Sequence, residues 1–448
     1  MSAPTLHAPT SVPPVTVTAR SSAPTHVPVA GVAVPPGTGR RTVDTSRVRL
    51  PLSLVVLLGA LTAVPSLSLD FYLPALPEIA REMGSPQATA QLTVTACLVG
   101  FAVGLLVAGP LSDAHGRRRP LLAGVAVYTV ATLACAFAPT IEVLIALRVL
   151  QGAAGAFGMV TGNAIVRDKA SGTAAAKLFS VLMLANGVAP ILGPVLGGQL
   201  LLVTNWPGLF VFLAVVGTLM FAAAWRWLPE TLPAHRRRPG SIGGAGRTFV
   251  FLLHDRPLVG YTLGRALGAA ALLAYVAASP FVFQDVYGLS PQGFGVVFGV
   301  NSAGLILMGQ LSGRLVGRFG CAALLRAGSV VSSAGSVELL LALAVHAPLP
   351  FVLPGVFGVV AGMGMVFPNS TALGLTRHGA RAGAATALMG VVQFAMQAVA
   401  SPLTGLGSGH SAMPMAVVVL VLDVGGLVAL LTLTRERGPA AELVAQPA

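Results

Sequence analysis

Two charged residues stand inside long apolar runs, where a charge needs a reason. The first is Asp70, in Pro65-Ser66-Leu67-Ser68-Leu69-Asp70-Phe71-Tyr72-Leu73-Pro74-Ala75-Leu76-Pro77. The second is Arg148, in Leu147-Arg148-Val149-Leu150-Gln151-Gly152. An ionised carboxylate at such a place costs roughly 2.5–3.5 kcal/mol even on a lenient membrane-insertion scale. Asp70 is therefore suited to exchanging a proton or to holding a substrate in a central cavity. Arginine keeps its charge at any relevant pH, so Arg148 biases a nearby acid without titrating itself. At about 1.5 Å per helical residue, Arg148 lies about 10 Å in from the outer end of its helix, and Asp70 lies at similar depth. Pairing is geometrically open to them. Each also has a plainer reading: Asp70 as an acid at the interface of a helix ending near Pro74, and Arg148 as a side chain snorkelling outward.

The elements that must position these residues are membrane helices. Of the 448 residues, 55% are hydrophobic and 9% charged, against about 25% charged in soluble proteins. The expected fold class is an all-α integral membrane protein. Twelve spans are read at roughly 51–76, 88–110, 120–138, 141–166, 174–202, 207–228, 257–284, 292–314, 321–345, 350–375, 382–406 and 412–434. The net charge of +13 could suggest nucleic acid, but placement decides otherwise. Apart from Arg81, Arg148 and Arg265, the 27 Lys and Arg residues fall in the tails or on one set of alternate loops and span ends. That set faces the cytoplasm by the positive-inside rule, with both termini inside.

Residues 1–46 are rich in Pro, Thr, Ser and Ala and read as a disordered cytoplasmic tail. They lack the apolar core of a signal peptide. The remaining divisions are 47–228, a first six-helix half; 229–256, a cytoplasmic linker; 257–434, a second six-helix half; and 435–448, a tail. Gly309-Gln310-Leu311-Ser312 echoes Gly109-Pro110-Leu111-Ser112, as an internal repeat would. Cys97, Cys135 and Cys321 lie in or beside apolar runs and read as packing residues rather than a disulfide framework.

Three further features carry structural logic. Gly109 to Pro120 is a turn with Asp113, Gly116 and consecutive Arg117, Arg118 and Arg119 between two uncharged runs. In Ala189-Pro190-Ile191-Leu192-Gly193-Pro194-Val195-Leu196-Gly197-Gly198, small residues allow close helix contact and the prolines kink the helix. Generic small-residue packing explains that stretch equally. Arg265, Glu338 and Asp423 lie in second-half spans; each lines the cavity, sits near an interface, or pairs structurally. Tyr72 and Asn186 are further cavity candidates. Asn301, Gln310, Asn369, Gln393 and Gln397 read as interhelical hydrogen-bonding residues. There is no phosphate-binding loop, nucleophile elbow or metal-ligand spacing, so neither ATP hydrolysis nor an enzyme is expected.

The Gly109–Pro120 turn resembles the loop between the second and third helices of the major facilitator superfamily, with Ala114 in place of the usual basic residue. Asp70-Phe71-Tyr72-Leu73-Pro74-Ala75-Leu76-Pro77 is similar to the first-helix signature of its bicyclomycin/chloramphenicol resistance transporters. Leu147 to Gly152 resembles the fourth-helix motif of its proton-driven antiporters. Residues 189–198 resemble the fifth-helix motif of its drug/proton antiporters, with Ala189 for the first glycine. Trp206-Pro207-Gly208 and Leu228-Pro229-Glu230-Thr231 look like the twelve-span branch. The resemblance covers about 51–434.

It implies the major facilitator fold, alternating access, and proton-coupled export of small amphipathic drugs from the cytoplasmic membrane. Asp70 and Arg148 would couple protons. Gly109, Asp113, Gly116, Arg117, Arg118 and Asp168 would form the conformational switch, and Pro190, Gly193, Pro194, Gly197 and Gly198 the antiporter motif. Some relatives carry a second acid two turns before Asp70, where this chain has Thr62, so neutral drugs such as chloramphenicol fit better than cationic ones. The expected partners are a small drug, protons and the bilayer, with no cofactor beyond the proton, no nucleic acid and a monomeric state. The alternatives are a proton-coupled transporter of a natural metabolite such as an amino acid, and a non-transporting sensor or scaffold.

Overall fold

The computed structural model describes residues 51–170, 172–237, 251–376, 382–405 and 411–434, with no strand among them. The expected tails, and residues 238–250 of the 229–256 linker, lie outside the described residues. The first half contains α1 Leu52–Asp70, α2 Gln87–His115, α3 Arg118–Cys135, α4 Ile141–Lys169, α5 Gly172–Leu200 and α6 Trp206–Trp227. The second begins with α7 Arg256–Phe281. Pro291–Ala344 follows and breaks at Gly320 (φ 75°, ψ 158°) into α8 (291–319) and α9 (321–344). Then come α10 Leu349–Thr376, α11 Ala382–Leu403 and α12 Met413–Leu433. Among the described residues 10 helices are long and apolar enough to cross a membrane. Pro291–Ala344 supplies two spans, and the 18-residue α3, with Arg118 and Arg119 in its first turn, supplies the remaining one.

The apolar runs become helices because lipid offers the backbone no hydrogen bonds, so each segment must satisfy its own. Pro207, Pro257, Pro291 and Pro414 stand in first turns, where a missing N–H costs nothing. Outer faces carry exposed Leu106, Val130, Leu219, Leu307 and Val421, a surface that only a bilayer would cover.

Several boundaries differ from the sequence reading, three of them at the residues of interest. The first span was expected to run to residue 76, but α1 ends at Asp70. Pro74 has no N–H for the Asp70 carbonyl and its ring crowds that carbonyl. The chain continues through a turn and the 3-10 stretch Leu73–Ala75 into the short helix Leu76–Glu82. Helix α2 carries on through the charged turn to His115 and stops at Gly116, whose φ of 91° favours glycine. Helix α4 likewise extends to Lys169.

The core is distributed unevenly along the bundle. At the end away from the arginines, one apolar cluster joins both halves, with Phe71, Leu76 and Phe210 of the first beside Phe283, Phe294 and Met415 of the second. At the arginine-rich end each half keeps its own core. Leu58, Leu121 and Ile165 pack in the first half; Leu258 and Leu388, and separately Leu325 and Val366, pack in the second. Hydrogen bonds between described residues of the two halves follow the same division. Arg81 Nη1 donates to Asp285 Oδ1 (3.1 Å), Gln284 Nε2 to the Pro74 carbonyl (2.9 Å), Gln292 Nε2 to the Gly198 carbonyl (2.7 Å) and Thr404 Oγ1 to Gln91 Oε1 (3.1 Å). All four lie at the joined end.

Candidate functional site

Arg148 is fully buried at 0% exposure. It occupies the α2–α4 interface, where glycines let the helices almost touch. A Cβ at Gly152 would lie 2.0 Å from the Cys97 carbonyl oxygen, and one at Gly100 2.0 Å from that of Val149. The guanidinium is held in place from several sides. Nε donates to the Thr93 carbonyl (3.3 Å), and Nη1 donates to the Ser68 carbonyl (3.0 Å) and to Gln151 Oε1. Gln151 Nε2 in turn donates to Thr132 Oγ1 at 2.9 Å. The cation lies 4.2 Å from the centre of the Tyr72 ring, whose hydroxyl is 2.9 Å from Thr93 Oγ1. Every one of these partners is neutral, and Nη2 is buried without a hydrogen-bond partner. Arg148 is thus a fixed, undischarged positive charge rather than half of an ion pair.

Asp70 is 6% exposed at the end of α1. It forms no ion pair with Arg148; the ion pairs between described residues are Arg81–Asp285, Arg117–Asp113 and Arg117–Asp168. The 189–198 stretch of α5 packs directly on it. A Cβ at Gly193 would come 3.1 Å from Asp70 Cβ, and one at Gly197 only 1.9 Å from the Phe71 carbonyl oxygen. Glycine is required there because the obstacle is backbone. On the next residue a Cβ at Gly198 would lie 2.7 Å from the Pro291 carbonyl of the other half. The stretch therefore serves both as the seat of Asp70 and as part of the seal between halves.

Asp70 also faces a cavity between the halves. About 830 Å³ of empty space, counting what opens to solvent, is lined by Asp70, Asn186, Pro190, Tyr275, Asn301 and Gln397 among others. An adjoining space of about 620 Å³ is lined by Ser68, Tyr128, Gln151 and, from opposite halves, Phe101 and Phe394. Those two rings meet edge to face with centroids 6.0 Å apart. Leu69, Leu98 and Asn186 belong to both walls. Among the described residues the combined wall is mainly apolar and carries one carboxyl and no Lys or Arg.

The second charged cluster lies at the arginine-rich end, within the first half. Arg117 Nε donates to Asp168 Oδ2 (2.9 Å), and its Nη1 donates to Ser112 Oγ (2.9 Å) and Asp113 Oδ1. Thr231 Oγ1 also donates to Asp168, at 3.2 Å. Arg118 Nη2 donates to the Trp225 carbonyl at 2.7 Å. Glu230 gathers backbone N–H groups: those of Arg117 (2.8 Å), Thr231 (2.9 Å) and Leu232 (3.0 Å) on Oε1, and of Arg118 (3.3 Å) on Oε2. Burial alone would raise the Glu230 carboxyl, but these donors outweigh it and hold the group below its ordinary 4.5. Sequence reasoning gave Glu230 no role. Its one signal was an acid just past a helix end, free to turn back onto the neighbouring turn. At Gly109 a Cβ would meet open space, so sterics here do not demand a glycine.

Of the five residues expected to line the cavity, only Asn186 does so. Tyr72 is fully buried between Arg148 and Phe210. Arg265 donates to Gln393 Oε1 (2.9 Å) and Thr371 Oγ1 and lies outside both walls. Asp423, 4% exposed, accepts a hydrogen bond from Ser332 Oγ (3.0 Å) inside the second half. Glu338 is exposed and shares a stripe with Val330, Val331, Val337 and Leu341, the lipid-facing side of α9 near its end. Asn301 and Gln397 line the cavity although their sequence context reads as packing amides, since an amide in an apolar run does not say which way it faces.

The sequence model of the Major Facilitator Superfamily matches residues 57–401. The chain is 38% identical over 388 residues to the uncharacterised MFS-type transporter YdgK of Bacillus subtilis, covering 86% of this chain and 96% of that one. It is 31% identical over 332 residues to a chloramphenicol resistance protein of Pseudomonas aeruginosa, covering 73% and 76%. Among solved structures, a D-xylose–proton symporter superposes with a TM-score of 0.67 at 16% identity, covering 86% of this chain and 98% of that one.

Proposed function

The chain belongs to the Major Facilitator Superfamily of membrane transporters, and on that premise we propose that it exports small, neutral, amphipathic drugs of the chloramphenicol or bicyclomycin kind in exchange for protons. One observation carries this reading: a buried carboxyl in the cavity wall, unpaired, beside a buried guanidinium that only neutral groups hold. A carboxyl so placed is poised between two states. Protonated, it suits the apolar wall; ionised, it is stabilised by the fixed positive charge of Arg148. Drug entering the cavity and proton on Asp70 then exclude one another, which is the requirement for exchange. The resemblance to a chloramphenicol resistance protein supports the drug class.

With the arginine-rich end assigned to the cytoplasm, the shared core and the inter-half bonds seal the outer side, and the separate cores belong to an inward-facing state. Export requires the opposite state as well. Rocking the halves would part Gly198 from Pro291 and bring the Asp113–Arg117–Asp168 cluster toward the second half. Both termini are then cytoplasmic and the protein works as a monomer.

The test is drug uptake into inverted vesicles with an imposed pH gradient. Wild type accumulates chloramphenicol until an uncoupler dissipates the gradient. Asp70→Asn keeps shape and hydrogen bonding yet has no proton to release, and is expected to lose gradient-driven accumulation. Accumulation by Asp70→Asn at the wild-type rate would sink the assignment.

A further inference from the structure

We propose, resting on the reading of the central cavity as the drug site, that this cavity selects substrates by their hydrogen-bond donors, hydroxyl and amide N–H groups on an otherwise neutral, apolar frame. Gln397 carries the argument. It is 9% exposed and lines the cavity from α11. Its Nε2 donates to the Ala269 carbonyl at 3.3 Å, and its Oε1 is buried without a partner. A carbonyl only accepts, so the amide nitrogen must be the end that faces Ala269 and the oxygen must be the end left over. A buried acceptor with no donor is a standing penalty that a ligand's O–H or N–H removes on binding.

A second cavity amide points the same way. Asn186 Nδ2 donates to the Leu182 carbonyl at 2.8 Å, which fixes its orientation by the same logic. Asn301 Nδ2 donates to the Tyr275 hydroxyl at 3.0 Å. Gln397 and Asn186 thus each turn the amide nitrogen to a carbonyl that only accepts, which leaves the amide oxygen for a ligand, whereas the Asn301–Tyr275 pair is satisfied by either end of the amide. Pro190 adds a further acceptor, because it has no N–H for the Asn186 backbone carbonyl one turn earlier. Asp70, when ionised, also only accepts. Among the described residues the wall holds no Lys or Arg, and its donors in return are the Tyr275 and Ser302 hydroxyls and the second N–H of each amide. A ligand rich in acceptors alone would leave these oxygens unpaired, whereas a diol or a secondary amide meets them.

The test uses chloramphenicol, which bears two hydroxyls and one amide N–H, and its di-O-methyl ether, which keeps the frame and loses both hydroxyl donors. Dissociation constants for the purified full-length protein are measured by calorimetry, with ligand-induced proton release recorded on the same samples. Wild type is expected to bind the parent roughly tenfold more tightly than the ether, the worth of a buried hydrogen bond. Gln397→Leu should weaken the parent by roughly tenfold and leave the ether within about twofold. Gln397→Met, which keeps the length of the side chain, should repeat that pattern if leucine disturbs folding. Equal affinity of wild type for the two ligands, or equal loss of both in the variants, overturns the donor rule. If both ligands release protons without preference, the rule fails while drug/proton exchange stands. If neither binds nor releases protons, both fall together.

Discussion

The seal between α5 and α8 offers a perturbation whose size follows from backbone geometry. A Cβ at Gly295 would lie 2.6 Å from the Pro194 carbonyl oxygen, 3.0 Å from its carbon and 3.1 Å from Val195 Cα. Backbone cannot step aside as a flexible side chain does. A carbon needs about 3.3 Å from such an oxygen, so Gly295→Ala must push the helices apart by roughly 0.7 Å. The nearby Gln292 bond to the Gly198 carbonyl would lengthen with them. Overpacking of this kind costs about 1–3 kcal/mol. The cost falls only on the conformation in which these ends are joined, so the ratio of the two states should move about 5- to 150-fold away from it. Cysteines at Arg81 and Asp285, whose side chains form a 3.1 Å ion pair, report the joined state by crosslinking once Cys97, Cys135 and Cys321 are replaced. Gly295→Ala should lower the ratio of joined to parted molecules, read from the crosslinked fraction after a brief pulse, at least fivefold. Gly313→Ala, on the same helix with nothing within 4 Å of its Cβ, should not change it. Unchanged crosslinking in Gly295→Ala would refute the idea that this contact holds the halves closed.

Arg148→Lys should drop gradient-driven export more than tenfold, because one ammonium does not reproduce the fork that reaches Ser68, Thr93 and Gln151 together; export at the wild-type rate would show that charge alone suffices. Glu230 has a carboxyl held below 4.5, so its stabilisation of the turn is fully present above that value and is lost as pH falls through the lowered one. Amide exchange at Arg117 and Thr231, corrected for intrinsic rates, should therefore stay constant from pH 8 to pH 5 in wild type and rise about tenfold in Glu230→Gln. Loosening of the wild-type turn between those pH values would contradict this sign. Glu338→Gln, on the lipid-facing stripe, should leave both stability and export unchanged, with stability within about 0.5 kcal/mol; loss of export would return Glu338 to the transport path.

Much of the fold is written locally. A bilayer-length apolar run has only one way to satisfy its backbone, and arginines on alternate loops fix the order of turns, so α1 to α12 follow from short windows of sequence. Local chemistry also marks Asp70 and Arg148 as residues that need a reason, and marks 189–198 as a stretch built for close approach. What these windows do not contain is rotation about each helix axis. Glu338 and Asp423 are both acids within apolar runs, yet one faces lipid and the other Ser332. Gln393 and Gln397 share one face of α11, one turn apart, and even so one holds Arg265 while the other lines the cavity. The partners of Arg148 come from α1, α2 and α4, and the oxygen of Gln397 is left over only because Ala269, on α7, takes its nitrogen. Facing is set by which helices pack together, and that depends on contacts between residues far apart in the chain. The sequence determined where charge lies along the membrane; only the tertiary structure decided which charges and amides share a wall.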